Sequence, residues 1–177
     1  MARGVRTRIP VASHDLDVPA LFGVLAQHRV RFVVIGGIAA NMLGSTTVTR
    51  DLDICYAREP ADLEALAGAL RELSVTLRGA EADLPFKLDA RTLRSGLNFT
   101  FRSALGDFDC IGEASGVFTY VSLAPNAETV TVDGRDIAVA SLDDLIRMKR
   151  AAGRIKDLIE VENLSALREV REGRPEE

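Results

Sequence analysis

The segment Val-Arg-Phe-Val-Val-Ile at residues 30–35 is β-branched and apolar, as a buried strand requires, and it stops abruptly at Gly36-Gly37. Ile38 to Leu43 then reads as a short helix. Gly44 and a hydroxyl-rich stretch, Ser45 to Thr49, lead into Arg50 to Tyr56, where polar and apolar residues alternate. That alternation predicts a second strand with Asp51, Asp53 and Cys55 on one face. A strand, a tight turn, a short helix and a second strand packed into residues 30–56 require a sheet with helices against it.

The flanking sequence extends this α/β pattern. Asp17 is placed to cap a helix with Pro19 in its first turn and Leu21, Phe22, Leu25 and His28 at helical spacing. Pro60 opens another helix, with Leu63, Leu66, Ala67 and Leu70 in one apolar stripe. Residues 74–139 read as short strands at 74–77, 97–103, 107–111, 129–132 and 136–139, with Asp133-Gly134 as a hairpin turn between the last two. Ser141 and Asp144 fit a capping box before a helix through Leu145, Ile146 and Met148. Gly153 interrupts it, a second helix carries Ile155 to Leu167, and the charged tail from Arg168 is expected to fray. The expected architecture is α/β (α+β): a mixed twisted sheet with helices mainly on one face and a C-terminal helical segment. Its parts are a flexible basic arm at 1–12, a core at 13–140 and C-terminal helices at 141–177.

Composition limits the functional classes. Hydrophobic residues make up 47% of the chain and charged residues 27%, which excludes a disordered chain. The net charge of −4 offers no general attraction for nucleic acid, so a polyanion must be met by a local basic patch or by bound cations. The arm carries Arg3, Arg6 and Arg8, but Pro10, Asp15 and Asp17 follow where a signal peptide needs apolar residues. No apolar run approaches the roughly 20 residues that span a bilayer, and the expected location is cytoplasmic. Cys55 and Cys110 are too few for a disulfide framework and read as reduced core thiols.

Carboxylates at i and i+2 of a strand project from one face with Cα atoms about 7 Å apart. Asp51 and Asp53 are therefore candidate ligands for a divalent cation, and oxygen-only ligation favours Mg²⁺ or Mn²⁺ over zinc. Gly36-Gly37, at a strand-to-helix turn, permits close approach of a phosphate to backbone amides. Arg50, Ser45, Thr47 and Thr49 stand ready to supply charge and hydroxyl donors to that phosphate. His14 and His28 lack zinc-ligand spacing, and Ser115 and Ser122 have no His/Asp constellation in the sequence.

The order strand, Gly36-Gly37, short helix, hydroxyl-rich loop and Asp51-x-Asp53, with thirteen residues between Gly37 and Asp51, resembles the signature of the DNA polymerase β-like nucleotidyltransferases. The resemblance covers residues 30–56. It departs from the family pattern at Thr47, which stands where an arginine is common. It implies a third carboxylate on a nearby strand, bracketed by apolar residues. Phe108-Asp109-Cys110-Ile111 matches best, and Asp107, on the same face, is the competitor.

Residues 145–158 also resemble the minimal nucleotidyltransferases, including toxin-type members of toxin–antitoxin operons. That resemblance implies Lys149 as a triphosphate ligand, with Arg154 or Lys156 as helpers, and Asp157 as a stabiliser of the last helix. The implied activity is transfer of NMP from an NTP to an acceptor hydroxyl with release of pyrophosphate. Asp51, Asp53 and Asp109 would hold two Mg²⁺ or Mn²⁺ ions roughly 3.5–4 Å apart, and Gly36, Gly37, Ser45, Arg50 and Lys149 would meet the nucleotide. The acceptor is a tRNA, a protein hydroxyl or a small molecule such as an aminoglycoside, and a cognate antitoxin is an expected partner. The alternatives are a non-catalytic nucleotide-binding or regulatory partner protein and a metal-dependent nuclease.

Overall fold

A computed structural model describes residues 16–79 and 86–173. The expected basic arm and His14 lie outside them. In chain order the elements are α1 (Val18–Gln27), β1 (Phe32–Ile35), α2 (Gly36–Met42), β2 (Asp51–Tyr56), α3 (Pro60–Glu72), β3 (Thr76–Leu77), α4 (Ala90–Ser95), β4 (Asn98–Ser103), β5 (Gly106–Ile111), α5 (Tyr120–Leu123), β6 (Glu128–Val132), β7 (Arg135–Val139), α6 (Leu142–Ala152) and α7 (Ile155–Glu172).

The strands form one mixed sheet in the order β3, β4, β5, β2, β1, β7, β6. β2 and β5 run parallel at its centre, as do β1 and β7, and the remaining neighbours are antiparallel. The strand readings agree with the structure to within two residues at each end because each combines β-branched or alternating residues with a turn signal. The hairpin between β6 and β7 turns at Asp133 and Gly134, both with positive φ (47° and 76°), as a two-residue hairpin of this twist demands.

Helix ends follow local capping chemistry. The Asp17 carboxylate accepts from the Ala20 amide at 3.0 Å, and the Ser141 hydroxyl accepts from the Asp144 amide at 3.2 Å. Gly153 ends α6 in the left-handed conformation with φ 66°. Between the expected strands at 74–77 and 97–103, where the sequence predicts no element, lies α4, started by the Asp89 carboxylate accepting from Thr92 at 2.8 Å. Its single apolar turn is too short to show a helical period. The C-terminal residues Arg168 and Arg171 do not fray. They tie α7 to Asp143 at 2.7 Å and to Glu128 at 2.6 Å, and the helix runs to Glu172.

One apolar core unites both faces of β1 and β2 with α1, α2, α3, α6 and α7, through residues such as Leu21, Val33, Ile38, Ile54, Leu66, Ile146 and Leu164. Cys55 and Cys110 are free thiols within it, and burial pushes the Cys55 thiol up to about 12. No helix among the described residues is long and apolar enough to cross a membrane.

Candidate active site

The parallel register of β2 and β5 gathers the carboxylates. Asp51 stands opposite Asp107 and Asp53 opposite Asp109. All four side chains leave the same face of the sheet, because each strand contributes residues i and i+2. The intervening Leu52, Ile54, Phe108 and Cys110 are buried on the other face and anchor both strands.

The turn after β1 is shaped around the second of these acids. Ile35 pairs with Asp53 across the sheet. Gly36 follows with φ +68°, and a Cβ there would lie 2.2 Å from Asp53 Oδ2. A Cβ on Gly37 would lie 2.6 Å from Thr49 Cβ. The glycine pair is thus needed inside the protein, to admit the Asp53 carboxylate and the Thr49 side chain. Thr49 in turn donates from its hydroxyl to the Asp51 carbonyl at 3.3 Å.

The electrostatics separate the acids. Enclosure by protein atoms, then repulsion from Asp51 and Asp109, push the Asp53 carboxyl up to about 7. Burial likewise raises Asp109, to about 6, although the adjacent Arg78 pulls it down. Asp107 moves the other way: a hydrogen bond from Arg102 holds its carboxyl below the usual range. The two facing acids Asp53 and Asp109 are therefore the pair that resists ionisation, and Asp107 is committed to a surface ion pair.

Arg78, immediately after β3, is not legible in the sequence as a site residue. Its guanidinium donates to both oxygens of Asp109, at 2.7 and 2.9 Å, and lies 3.3 Å from Asp107 Oδ2 and 3.4 Å from Asp51 Oδ2. No motif or spacing marks it, because its position depends on how β3, β4 and β5 pair.

Asp53 and Gly36 also form one wall of a cleft of about 280 Å³, which continues past Ile111 and Asn98 to Glu113 and is closed on the other side by Met148, Lys149 and Arg154. The Lys149 ammonium is held 3.4 Å from Asp157 and is also paired to Glu160. Arg154 donates to Asp157 at 2.6 Å. Asp157 is fully buried, and its carboxylate additionally accepts from the Arg154 amide at 3.3 Å, which starts α7. Removing that carboxylate leaves two cations and a helix end short of one partner. Asp157→Ala is therefore expected to cost about 2–4 kcal/mol in urea denaturation. A cost within about 0.5 kcal/mol of zero would show that Glu160 alone satisfies the cluster.

The structure does not bring every expected residue to this cleft. Ser45 is bonded to its own loop, with its amide donating to the Ala40 carbonyl at 2.9 Å and its hydroxyl 2.9 Å from Thr47, and it lines no part of the cleft. Arg50 is exposed and also lies outside the lining. His28 caps the end of α1 and meets Glu72 at 2.6 Å, a structural role. Among the described residues, no three His, Cys, Asp or Glu side chains are drawn together tightly enough to enclose an ion. With Arg78 among them, the carboxylates Asp51, Asp107 and Asp109 face a guanidinium instead.

No protein-family model matches the chain, and no curated protein matches it by sequence. Solved structures do match. The lincosamide antibiotic adenylyltransferase LnuA, bound to lincomycin, superposes with a TM-score of 0.57 at 14% identity, over 87% of this chain and 99% of its own. The antibiotic-resistance factor ANT(2'')-Ia superposes in its solution structure with a TM-score of 0.52 at 15% identity, over 90% of this chain and 93% of its own. Its crystal structure with adenylyl-2''-tobramycin gives 0.51 at 15%, over 85% and 91%. The chain that carries this carboxylate face and its adjoining cleft therefore shares the fold of the antibiotic adenylyltransferase LnuA and of ANT(2'')-Ia.

Proposed function

We propose that this protein is a metal-dependent nucleotidyltransferase that moves NMP from an NTP to a hydroxyl of a small acceptor molecule. The observation that carries this reading is the register that sets Asp53 directly opposite Asp109, at the edge of a cleft walled by Lys149 and Arg154. The donor set fits a divalent cation of the Mg²⁺ or Mn²⁺ type. It contains oxygen only, and the Asp53 and Asp109 carboxyls are held above their ordinary range by burial and by repulsion from neighbouring carboxylates that a cation relieves. Asp51 and Asp53 would hold the ion. When bound, it supplies charge neutralisation and Lewis acidity at the reacting phosphate.

The protein's own groups divide the remaining work. Lys149 and Arg154, each already paired with Asp157, line the wall facing Asp53 and would orient the triphosphate by hydrogen bonding more than by net charge. Gly36 lets the Asp53 carboxylate pack against the turn, which fixes its direction. The acceptor oxygen forms a bond to the α-phosphorus as the bond to the pyrophosphate oxygen breaks, and pyrophosphate leaves. The acceptor's proton passes to Asp109, whose carboxyl titrates near 6 and therefore accepts a proton near neutrality without holding it too tightly. Asp107, committed to Arg102, is not the third acid in this reading.

A small acceptor is favoured because the solved structures of this fold that match over most of both chains include a lincosamide antibiotic adenylyltransferase bound to lincomycin and a resistance factor in complex with adenylyl-2''-tobramycin. The test is incubation with each α-labelled NTP, Mg²⁺ or Mn²⁺, and separate acceptors: a lincosamide, an aminoglycoside, bulk tRNA and a protein. The expected outcome is metal-dependent gain of one NMP mass on a small polyhydroxylated acceptor, with pyrophosphate released in equal amount. Labelling of tRNA or protein instead would reassign the acceptor. No NMP transfer to any acceptor, with cleavage of RNA or DNA in the absence of NTP, would replace the transferase reading with a nuclease.

A further inference from the structure

We infer that Arg78 takes the place of the acceptor-side cation in this site, so that the protein works with one divalent ion per chain and not two. The inference rests on the transferase reading above and concerns how that site is charged.

The placement of Arg78 is built in. Its amide donates to the Thr100 carbonyl at 2.9 Å, which fixes the residue beside β4. From there the side chain crosses the sheet face and lies against β5 and β2. Nη2 donates to both oxygens of Asp109 while Nη1 reaches Asp51 and Asp107, so a single guanidinium bridges three carboxylates through charge-assisted hydrogen bonds. Only 28% of the Arg78 side chain and 13% of the Asp109 side chain remain accessible, so solvent screens the pair far less than it screens a surface pair. A cation seated between Asp109 and Asp51 would occupy the space of this guanidinium, because Arg78 Nη1 also lies 3.4 Å from Asp51.

The charges agree with this assignment. The face carries four carboxylates, Asp51, Asp53, Asp107 and Asp109, and two guanidiniums contact them, Arg78 and Arg102. With all four ionised, as a bound cation favours, the protein groups still carry an excess of two negative charges before the nucleotide adds its own, so the face attracts a divalent ion even with Arg78 in place. Across the cleft Lys149 and Arg154 are balanced by Asp157 and Glu160 and do not alter the sum. The residual charge sits at Asp53 and the free side of Asp51, which places the single ion on the nucleotide side. Arg78 is then a positioning residue. It holds Asp109 in one orientation and supplies the fixed positive charge that a second ion would otherwise bring, without the affinity and exchange of a metal.

The experiment counts Mn²⁺ bound per chain at saturation, in the presence of a non-hydrolysable α,β-methylene NTP, by equilibrium dialysis and by electron paramagnetic resonance. Two ions at roughly 3.5–4 Å are spin-coupled, and one ion is not. Wild type is expected to bind one Mn²⁺ with an uncoupled six-line spectrum. Arg78→Gln, which keeps a polar side chain but removes the charge, is expected to bind two, with a coupled spectrum, and Arg78→Lys to return to one. A coupled pair in wild type overturns the inference while leaving the transferase reading in place, and so does a count of one in folded Arg78→Gln. Failure of wild type to bind either Mn²⁺ or the nucleotide overturns both. If Arg78→Gln does not fold, the wild-type count and spectrum decide the matter alone.

Discussion

Asp53→Asn is expected to abolish NMP transfer, by at least about 10²–10³-fold in kcat/KM, and at the same time to make the metal-free protein more stable at pH 8. The first effect follows from removing the carboxylate that faces both Asp109 and the cleft. The second follows from its environment. The folded protein raises this carboxyl from 3.8 to about 7. Between those values the folded state binds a proton that the unfolded state has released, so stability falls as pH rises through the window. At about 1.4 kcal/mol per unit, a shift of this size is worth on the order of 2–4 kcal/mol once pH exceeds about 7. Asp109, raised to about 6, adds to the same slope.

The amide that replaces the carboxylate in Asp53→Asn has nearly the same shape and carries no charge, so the variant escapes most of this cost. Urea denaturation of the metal-free proteins at pH 5 and pH 8 is expected to show wild type losing stability with pH and Asp53→Asn losing much less. Added Mg²⁺ or Mn²⁺ is expected to stabilise wild type at pH 8 and to leave the variant nearly unchanged. A variant that turns over normally, or one less stable than wild type at pH 8, would contradict the assignment of Asp53 as the strained ligand of the site.

That opposition between activity and stability bears on how far the site is legible in the sequence. Asp51-x-Asp53 and Gly36-Gly37 stand out because each breaks the local rule: charge in a central strand, and two glycines where a helix begins. Each is explained by the other, since Gly36 has no side chain where the Asp53 carboxylate lies. The candidate third acid is visible as a strand motif, and the parallel register of β2 with β5 gives Asp109 and Asp107 different partners, Asp53 and Asp51. Arg78 leaves no local signature. It follows a two-residue strand, and its role arises from pairings with segments more than twenty residues away. Ser45 and Arg50 show the converse. Adjacency to Asp51 in sequence suggests phosphate contact, but the loop folds Ser45 back onto Thr47 and α2 and turns Arg50 to solvent.

Gly36→Ala offers the sharpest test of whether the glycine turn serves the acid or only a ligand. Two costs are expected in the folded protein. A left-handed φ of +68° costs a non-glycine residue about 1 kcal/mol, and the new methyl would stand 2.2 Å from Asp53 Oδ2, which must move. Together these amount to about 2–4 kcal/mol of stability, measured by urea denaturation without nucleotide or metal. The same substitution in an Asp53→Ala background meets only the backbone cost, since the carboxylate is gone and the nearest remaining atom is Asp53 Cβ, at 3.2 Å. The double-mutant cycle should therefore return a coupling of about 1–3 kcal/mol between positions 36 and 53. Equal costs in the two backgrounds would mean that the carboxylate yields freely. In that case, weakened NTP binding with unchanged stability would assign the glycine to the nucleotide alone. A large coupling, in contrast, makes the turn and the acid one unit, in which the backbone of α2 holds the Asp53 carboxylate in place before any cation or nucleotide arrives.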